Sequence, residues 1–543
     1  MRKLKFLAGP GVLLACLFSE AQVTFPVNGV ADPRSGCYAF TNATIVKDGQ
    51  TTLNNATLVI RDGRITTVGA NAAVPKDAVV INCSGKYIYP SLIDIYTDYG
   101  IPQPQRPQNA GGPGGFFAPQ QFTSNTKGAY GWNQAIRSEI NAADIFAVDD
   151  KPAKALRDIG FGSVLTHQKD GIARGTGAFV TLATEKENLA VVKEKASAHY
   201  SFSKGTSTQS YPGSMMGSVA LLRQTYLDAQ WYKGRPTKEG VNMSLQTWND
   251  EQSLPQIFDA NDKWSDIRAD RIGDEFGVQY IIKGGGNEYQ RISDIAATKA
   301  SYILSLNFPA TQEVDDPNDA KYVSLADLKH WELAPTNPAA LEKANIPFAL
   351  TTADEKDLKQ FWSNLHKAIE YGLSENKALD ALTKTPATWL GVYDKVGSLD
   401  EGKLANFLIT TGPLFNEKTV IVENWIQGDK YAVKEDAWTN VAATYNLVLN
   451  TTGGSMNYTL DVKNSTTANV IGKDTLTGKF SYDGKLVKLS FSTTPSRRPG
   501  SQMGQGMGAG RPSGSKQWGH LAGYRRGHIR QPTNLDCDIH KSK

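Results

Sequence analysis

The segment that most constrains the fold of this chain runs from residue 58 to residue 100. Short runs of alternating apolar and polar residues flank the turn pair Asp62-Gly63, which is typical of a β-hairpin. A second hairpin is predicted around Ser84-Gly85. Pro90 then introduces Leu92-Ile93-Asp94-Ile95, an apolar run of the kind that fills a strand buried in a parallel sheet. The segment therefore predicts a small β domain that leads directly into a buried parallel strand.

Helical and strand patterns alternate along the chain from residue 133 onward, after a loop dense in Pro, Gln and Gly. Strands separated by helices favour a parallel sheet with right-handed crossovers, and their number suits a barrel. The predicted helices cover residues 151–159, 219–231, 338–344, 358–371 and 374–382, and the predicted strands cover 162–166, 177–183, 278–282, 302–306 and 347–350.

Two motifs resemble the amidohydrolase superfamily and bracket the barrel. The first is PSLID, residues 90–94, followed by Ile95-Tyr96-Thr97-Asp98. The second, in residues 383–409, consists of Thr385-Pro386-Ala387, Leu390-Gly391, Gly397-Ser398-Leu399 and Gly402-Lys403, with Asn406 at the usual Asp position. The resemblance, to the secreted imidazolonepropionase-like group, implies a (β/α)8 TIM-like barrel inserted in a small β-sandwich domain.

The domain organisation follows from these motifs and from changes in composition. The expected order is a signal peptide at 1–21, a composite β domain from 22–92 and 396–431, and an amidohydrolase-like barrel at 93–395. Runs split by Gly and Asn turns predict a small antiparallel β module at 436–494. Residues 495–543 are predicted to be a disordered linker and tail, because they are rich in Gly and Gln and have no apolar periodicity.

The resemblance also indicates which catalytic groups are replaced. In the family, the first barrel strand ends in His-x-His, whose imidazoles bind a divalent metal, usually zinc; Tyr96 and Asp98 stand at those positions. Outside the tail, the histidines are His167, His199, His330 and His366. His167 follows a predicted strand, His199 and His330 are placed in polar loops, and His366 on a helix.

The remnant site candidates are Asp98, His167 and Asp354. Asp354 lies near the place of the family's last-strand Asp, with helix N-capping as the alternative role. Asp94 and Glu288 would join them if all five side chains gathered at one end of the barrel. No combination completes the family's ligand set, so no cofactor is expected, and no cofactor-binding residue is assigned.

The predicted function is that of an amidohydrolase-family protein whose parent activity is the hydrolysis of non-peptide carbon-nitrogen bonds. The alternative is a non-catalytic scaffold or the ligand-binding half of a larger hydrolase. A small-molecule ligand fits either reading, and the sequence does not give the substrate or the oligomeric state.

Export is predicted from the N-terminus, where basic residues precede an apolar run and Ser19-Glu20-Ala21 forms a small-x-small cleavage site. The alternative is a lipoprotein with Cys16 lipidated. An oxidising compartment would allow a disulfide between Cys37 and Cys83, and two partly buried thiols are the other interpretation. An exported location argues against nucleic acid as partner of the basic tail.

The composition of the tail predicts that the chain is a truncated form of a longer protein. Residues after Trp518 contain three histidines and one cysteine without an apolar face. A shifted reading frame would explain this composition, with the chain as the degenerate N-terminal half of a two-barrel protein and a second amidohydrolase barrel as its missing partner.

Overall fold

The computed structural model describes residues 36–105, 120–234, 240–312, 314–434, 443–451, 454–463, 467–472, 475–482, 487–491 and 537–541. The chain divides into two compact units, Met1–Lys434 and Glu435–Lys543. The predicted signal peptide with Cys16, and residues 495–536 of the predicted linker and tail, lie outside the described residues. Within the described part, no helix combines the length and apolarity needed to cross a bilayer.

The first unit contains sixteen described strands. In chain order they are β1 Cys37–Val46, β2 Thr52–Arg61, β3 Arg64–Gly69, β4 Val79–Asn82, β5 Tyr87–Pro90, β6 Leu92–Thr97, β7 Phe161–Thr166, β8 Ala173–Thr181, β9 Val191–Ser201, β10 Gln256–Asp259, β11 Ile281–Lys283, β12 Ser301–Ser305, β13 Phe348–Thr351, β14 Phe407–Thr410, β15 Ile421–Ile426 and β16 Asp429–Ala432.

The described α-helices of the first unit follow or separate these strands. They are α1 Ala142–Ile145, α2 Asp150–Asp158, α3 Glu187–Ala190, α4 Met215–Lys233, α5 Met243–Glu251, α6 Lys263–Phe276, α7 Ile292–Ala297, α8 Pro317–Ala320, α9 Leu325–Leu333, α10 Asn337–Lys343, α11 Phe361–Glu370, α12 Glu375–Leu382 and α13 Lys384–Trp389. Short 3-10 helices occupy Glu288–Arg291, Ala334–Thr336 and Leu358–Gln360.

The β domain is one mixed sheet in the order β16-β15-β14-β5-β1-β2-β3, with β4 also on β1. Pairing of β14 with β5 joins the segments before and after the barrel. The hairpin between β2 and β3 forms as its sequence predicts. Asp62 and Gly63 both have positive φ, 50° and 75°, as a two-residue turn of type I′ requires.

The second predicted hairpin is wrong. β4 and β5 do not pair with each other; both run parallel to β1, β4 against its first half and β5 against its second half. This arrangement puts Cys83 opposite the middle of β1 and Cys37 at its start. About five residues of strand, roughly 15 Å at ~3.3 Å per residue, separate them. Both cysteines are buried, and this separation is too long for a disulfide between them.

The barrel sheet runs in the order β6-β7-β8-β9-β10-β11-β12-β13. Seven strands are parallel, but β8 is antiparallel to both β7 and β9. The expected all-parallel (β/α)8 order is therefore modified at β8. The reason is the connection: only residues 167–172 separate β7 from β8, which is too short for the crossover that parallel strands need.

Side chains close the barrel between β6 and β13, where no backbone ladder joins these two described strands. The buried Asp94 carboxylate accepts hydrogen bonds from Thr351 Oγ1 at 2.5 Å, Thr352 N at 2.9 Å and Thr352 Oγ1 at 2.5 Å. The amide of Tyr96 donates a fourth at 3.1 Å. Burial raises the pKa of Asp94, although these bonds oppose the rise. The carboxylate of Asp94 in the PSLID motif thus has a structural role, since it joins β6 to the end of β13.

The second unit is an antiparallel six-stranded sheet with its own small core, around Leu447, Leu460 and Phe480. Its strands are β17 Thr444–Thr451, β18 Gly454–Val462, β19 Thr467–Ile471, β20 Thr475–Tyr482, β21 Val487–Phe491 and β22 Cys537–Lys541. β22 falls within the tail for which disorder is predicted, and that prediction does not hold for these five residues. They pair with the edge of β17, whose backbone groups offer hydrogen bonds that an isolated tail lacks.

Candidate functional site

The candidate site lies at the carboxyl ends of the parallel barrel strands. Thr97 pairs with Thr166, Ser201 with Asp259, and Asp259 with Lys283, so these residues share one rim. The antiparallel β8 begins at this same rim, since Ala173 pairs with Tyr200. We call Tyr96, His167, Arg174, His199, Asp259, Lys283 and Asp354 the mouth cluster.

Arg174 is the centre of the cluster. Its buried guanidinium donates Nη1 to Tyr96 Oη at 2.8 Å and to Asp259 Oδ2 at 3.1 Å, and Nε to the carbonyl of Gly171 at 3.1 Å. Burial opposes its charge, but Tyr96 and Asp259 outweigh that effect and raise the pKa of Arg174. Burial beside Asp259 also holds the pKa of Tyr96 well above its ordinary value. Arg174 therefore remains a cation, and Tyr96 a neutral phenol.

Lys283 supplies a second buried cation, with only 5% of its side chain exposed. Its Nζ lies 3.7 Å from Asp259 Oδ1 and forms an ion pair with Asp354 Oδ2. The ammonium groups of Lys283 and Lys169 lie 5.8 and 5.3 Å from the centre of the Tyr96 ring. Three cationic side chains therefore surround Tyr96, the position at which the resemblance implies a metal ligand.

His167 and His199 form a stacked pair beside Tyr96. Their ring centres are 3.6 Å apart and their planes differ by 8°, while Tyr96 meets His167 edge-on at 4.6 Å. Burial, with Arg174 and Lys169 adding to it, lowers the pKa of both imidazoles well below their ordinary value. Both rings are therefore neutral at pH 7.

The described residues do not fit the divalent metal that the resemblance implies. Both ring nitrogens of His167, and Nδ1 of His199, lack hydrogen-bond partners among the described residues, as metal ligands would. However, imidazole lone pairs lie in the ring plane, and two parallel stacked planes cannot direct them to one ion at the ~2.1 Å that a zinc–nitrogen bond requires. No group of three or more His, Cys, Asp or Glu within the described ranges is arranged to hold a metal.

A serine hydrolase arrangement is also absent from this part of the barrel. Ser197 Oγ lies 2.8 Å from His199 Nε2, the contact of a nucleophile and its base. A Cβ added to Gly177 would lie 2.6 Å from His199 Nε2 and 2.7 Å from Ser197 Oγ. The β8 backbone thus fills the space where a substrate carbonyl would have to sit.

The structure brings together only some of the predicted candidates. Asp98 lies 3.4 Å from Lys169 with half of its side chain exposed, and Asp94 is used in the barrel seam. Glu288 is buried outside the cluster and accepts from Asn337 Nδ2 at 2.5 Å. Asp354 joins the cluster through Lys283; the predicted capping role belongs instead to Asp357.

Sequence reasoning missed several members of the cluster. The sequence predicts polar loops for His199 and His330, but His199 lies buried in β9, and His330 lies on α9 outside the cluster. Asp259 and Lys283 are the last residues of short apolar strands, and that terminal charged position was an available signal. The sequence around Arg174 does not indicate a functional site, because its glycine-rich pattern predicts turns.

The fold is an eight-stranded barrel sheet inserted between the two segments of a β domain. The family model described as "Amidohydrolase family" matches residues 336–448. Imidazolonepropionase of Klebsiella pneumoniae (strain 342) is 23% identical over 376 residues, 66% of this chain and 86% of that protein. The crystal structure of an amidohydrolase from Thermotoga maritima MSB8 superimposes with a TM-score of 0.57 at 21% identity, covering 73% of this chain and all of that one. The chain is therefore similar to amidohydrolases in its sequence motifs and in its fold.

Proposed function

We propose that this barrel does not carry out metal-dependent hydrolysis of carbon-nitrogen bonds, and that the chain is a ligand-binding or scaffold half of a larger exported hydrolase. The observation that carries the proposal is the pair of buried cations, Arg174 and Lys283, beside Tyr96. Charges within a few ångströms repel strongly in a partly desolvated site. A divalent cation would therefore have to displace both from Asp259 and Asp354.

The carboxylates of the cluster support the same conclusion. Asp259 and Asp354 are held by Arg174 and Lys283, and Asp94 already accepts four hydrogen bonds. A metal ligand must offer a free lone pair. Asp259 Oδ1 has no hydrogen-bond partner among the described residues, but Lys283 Nζ lies 3.7 Å from it, so an ion bound there would meet that ammonium group.

The test is elemental analysis of the purified chain combined with hydrolysis assays on imidazolonepropionate and N-acyl amino acids. We expect less than one equivalent of transition metal per chain and no activity that depends on a metal. A full equivalent of zinc that is lost together with activity on chelation, and regained with it, would contradict the proposal.

A double variant makes this test sharper. Tyr96→His/Asp98→His restores the His-x-His pair of the family motif. We expect it to remain without stoichiometric zinc, since Arg174 and Lys283 would still occupy the adjacent space. Tight zinc binding by this double variant would mean that the substituted pair alone, and not the cations, prevents metal binding.

A further inference from the structure

A cleft lies next to the start of β8, to which its lining residue Ile136 bridges at Ala173. Residues 124–131 form one wall, residues 133–140 another, and Thr206 and Thr208 complete it. Its volume is about 580 Å³, within the range of small-molecule sites. None of its lining residues belongs to the mouth cluster.

Neutral hydrogen-bonding side chains line much of the cleft, together with Ile136, Ile140 and Tyr130. Amides and hydroxyls both donate and accept, so they match a ligand whose own groups do the same. Three lining residues are charged: Arg137 is paired with Asp170 at 2.5 Å, Glu139 accepts from Ser244 Oγ at 2.7 Å, and Lys127 adds one ammonium group. The neutral wall groups include Ser124, Asn125, Thr126, Gln134 and Thr208.

Tyr130 provides a fixed aromatic surface in this cleft, with 38% of the residue exposed. Gly128 has φ of 133°, and a Cβ there would lie 2.4 Å from Tyr130 Cε2, so the ring packs directly on the glycine. The carbonyl before Tyr130 accepts from Met243 N at 2.6 Å, and the amide after it donates to Ser244 Oγ at 3.0 Å. The ring is therefore positioned by its backbone before any ligand arrives.

The polar wall is also held in place by internal bonds. Gln134 Oε1 accepts from the amide and the hydroxyl of Thr208, both at 3.2 Å, and Gln134 N donates to Gln209 Oε1 at 2.6 Å. Groups fixed in this way lose little conformational entropy on binding, which favours affinity.

Exposed aromatic residues continue beyond the cleft. Trp132 is 51% exposed and stacks with Tyr211 at 6.0 Å, and Phe122 is 62% exposed. Gln209 Nε2 donates to the carbonyls of both Phe122 and Trp132, at 2.8 and 3.1 Å, and so joins the two loop segments. This surface could extend contact to a ligand longer than the cleft.

From these features we propose that the cleft binds a neutral saccharide, with one face of a sugar ring stacked on Tyr130. Sugar hydroxyls donate and accept like the wall groups, and the C–H face of a pyranose presents weakly positive hydrogens to the negative face of an aromatic ring. The proposal goes beyond the function proposed above and does not depend on the mouth cluster.

The test is titration of the full chain with a panel of soluble gluco-, galacto-, manno- and chito-oligosaccharides. Binding is measured by calorimetry and by saturation-transfer NMR. We expect at least one to bind at millimolar concentration or below. Tyr130→Ala should weaken binding about tenfold, the effect of losing one aromatic contact, and Tyr130→Phe should retain it. Tyr371→Ala, which is 40% exposed on the surface and does not line the cleft, is the matched control and should change nothing.

Three results would overturn the proposal. They are no saccharide binding at millimolar concentration, unchanged binding by a folded Tyr130→Ala variant, and displacement of the saccharide by an uncharged tetrapeptide of higher affinity. Melting temperatures of all variants establish that each is folded. Because the metal content is measured separately, either proposal can fail without the other.

Discussion

Replacement of Arg174 by methionine tests whether the mouth cluster is a closed ionic network. Methionine retains most of the apolar stem but removes the bonds to Tyr96, Asp259 and the carbonyl of Gly171. Only 5% of the Arg174 side chain and 19% of that of Asp259 is exposed, so solvent cannot replace the lost partner. Breaking such a buried pair should cost about 3 kcal/mol of unfolding free energy, at the low end of the usual range, because Lys283 Nζ at 3.7 Å still partly compensates the charge of Asp259.

Urea denaturation followed by tryptophan fluorescence measures this cost in the first unit, which contains eight of the ten tryptophans. Arg223→Met is the matched control, because its pair with Glu275 is 47% and 42% exposed and should contribute less than about 1 kcal/mol. The double variant with Asp259→Asn should cost less than the sum of the two single changes. Additivity within about 0.5 kcal/mol would refute the network.

Three further predictions concern packing and pH. Gly177→Ala should destabilise the first unit by about 1–3 kcal/mol through overpacking, whereas Gly69→Ala, where a Cβ meets nothing within 4 Å, should be neutral or slightly stabilising in the same denaturation assay. Because burial lowers the pKa of His167, the unfolded chain binds more protons than the folded chain below about pH 6.5, and acid therefore reduces stability. His167→Gln should flatten the dependence of the unfolding free energy on pH by up to about 1.4 kcal/mol per pH unit. An unchanged slope would contradict the lowered pKa of His167. Burial raises the pKa of Glu251 to about 9, so the folded state keeps a proton that the unfolded state releases above about pH 4.5. Stability from this group should fall as pH rises to about 9, and Glu251→Gln should remove that loss in stability curves measured from pH 5 to 9.

The local pattern determined those features that depend on neighbouring residues. The Asp62-Gly63 turn follows from two residues that tolerate positive φ, and α2 and α4 follow from apolar spacing. The motif at residues 90–94 indicated the first barrel strand, and the structure places a buried strand there. Periodicity reports which face of an element is buried, and this information is local.

Tertiary structure decided the direction of strands and the partners of charged side chains. β4 and β5 have the alternation of a hairpin, yet both pair with β1, since either partner satisfies the same backbone groups. β8 runs antiparallel because its connection is short. Arg174 and Asp259 are 85 residues apart and meet only where β8 begins and β10 ends. The sequence around a charged residue does not indicate which distant carboxylate will pair with it, because strand register and barrel closure set that pairing.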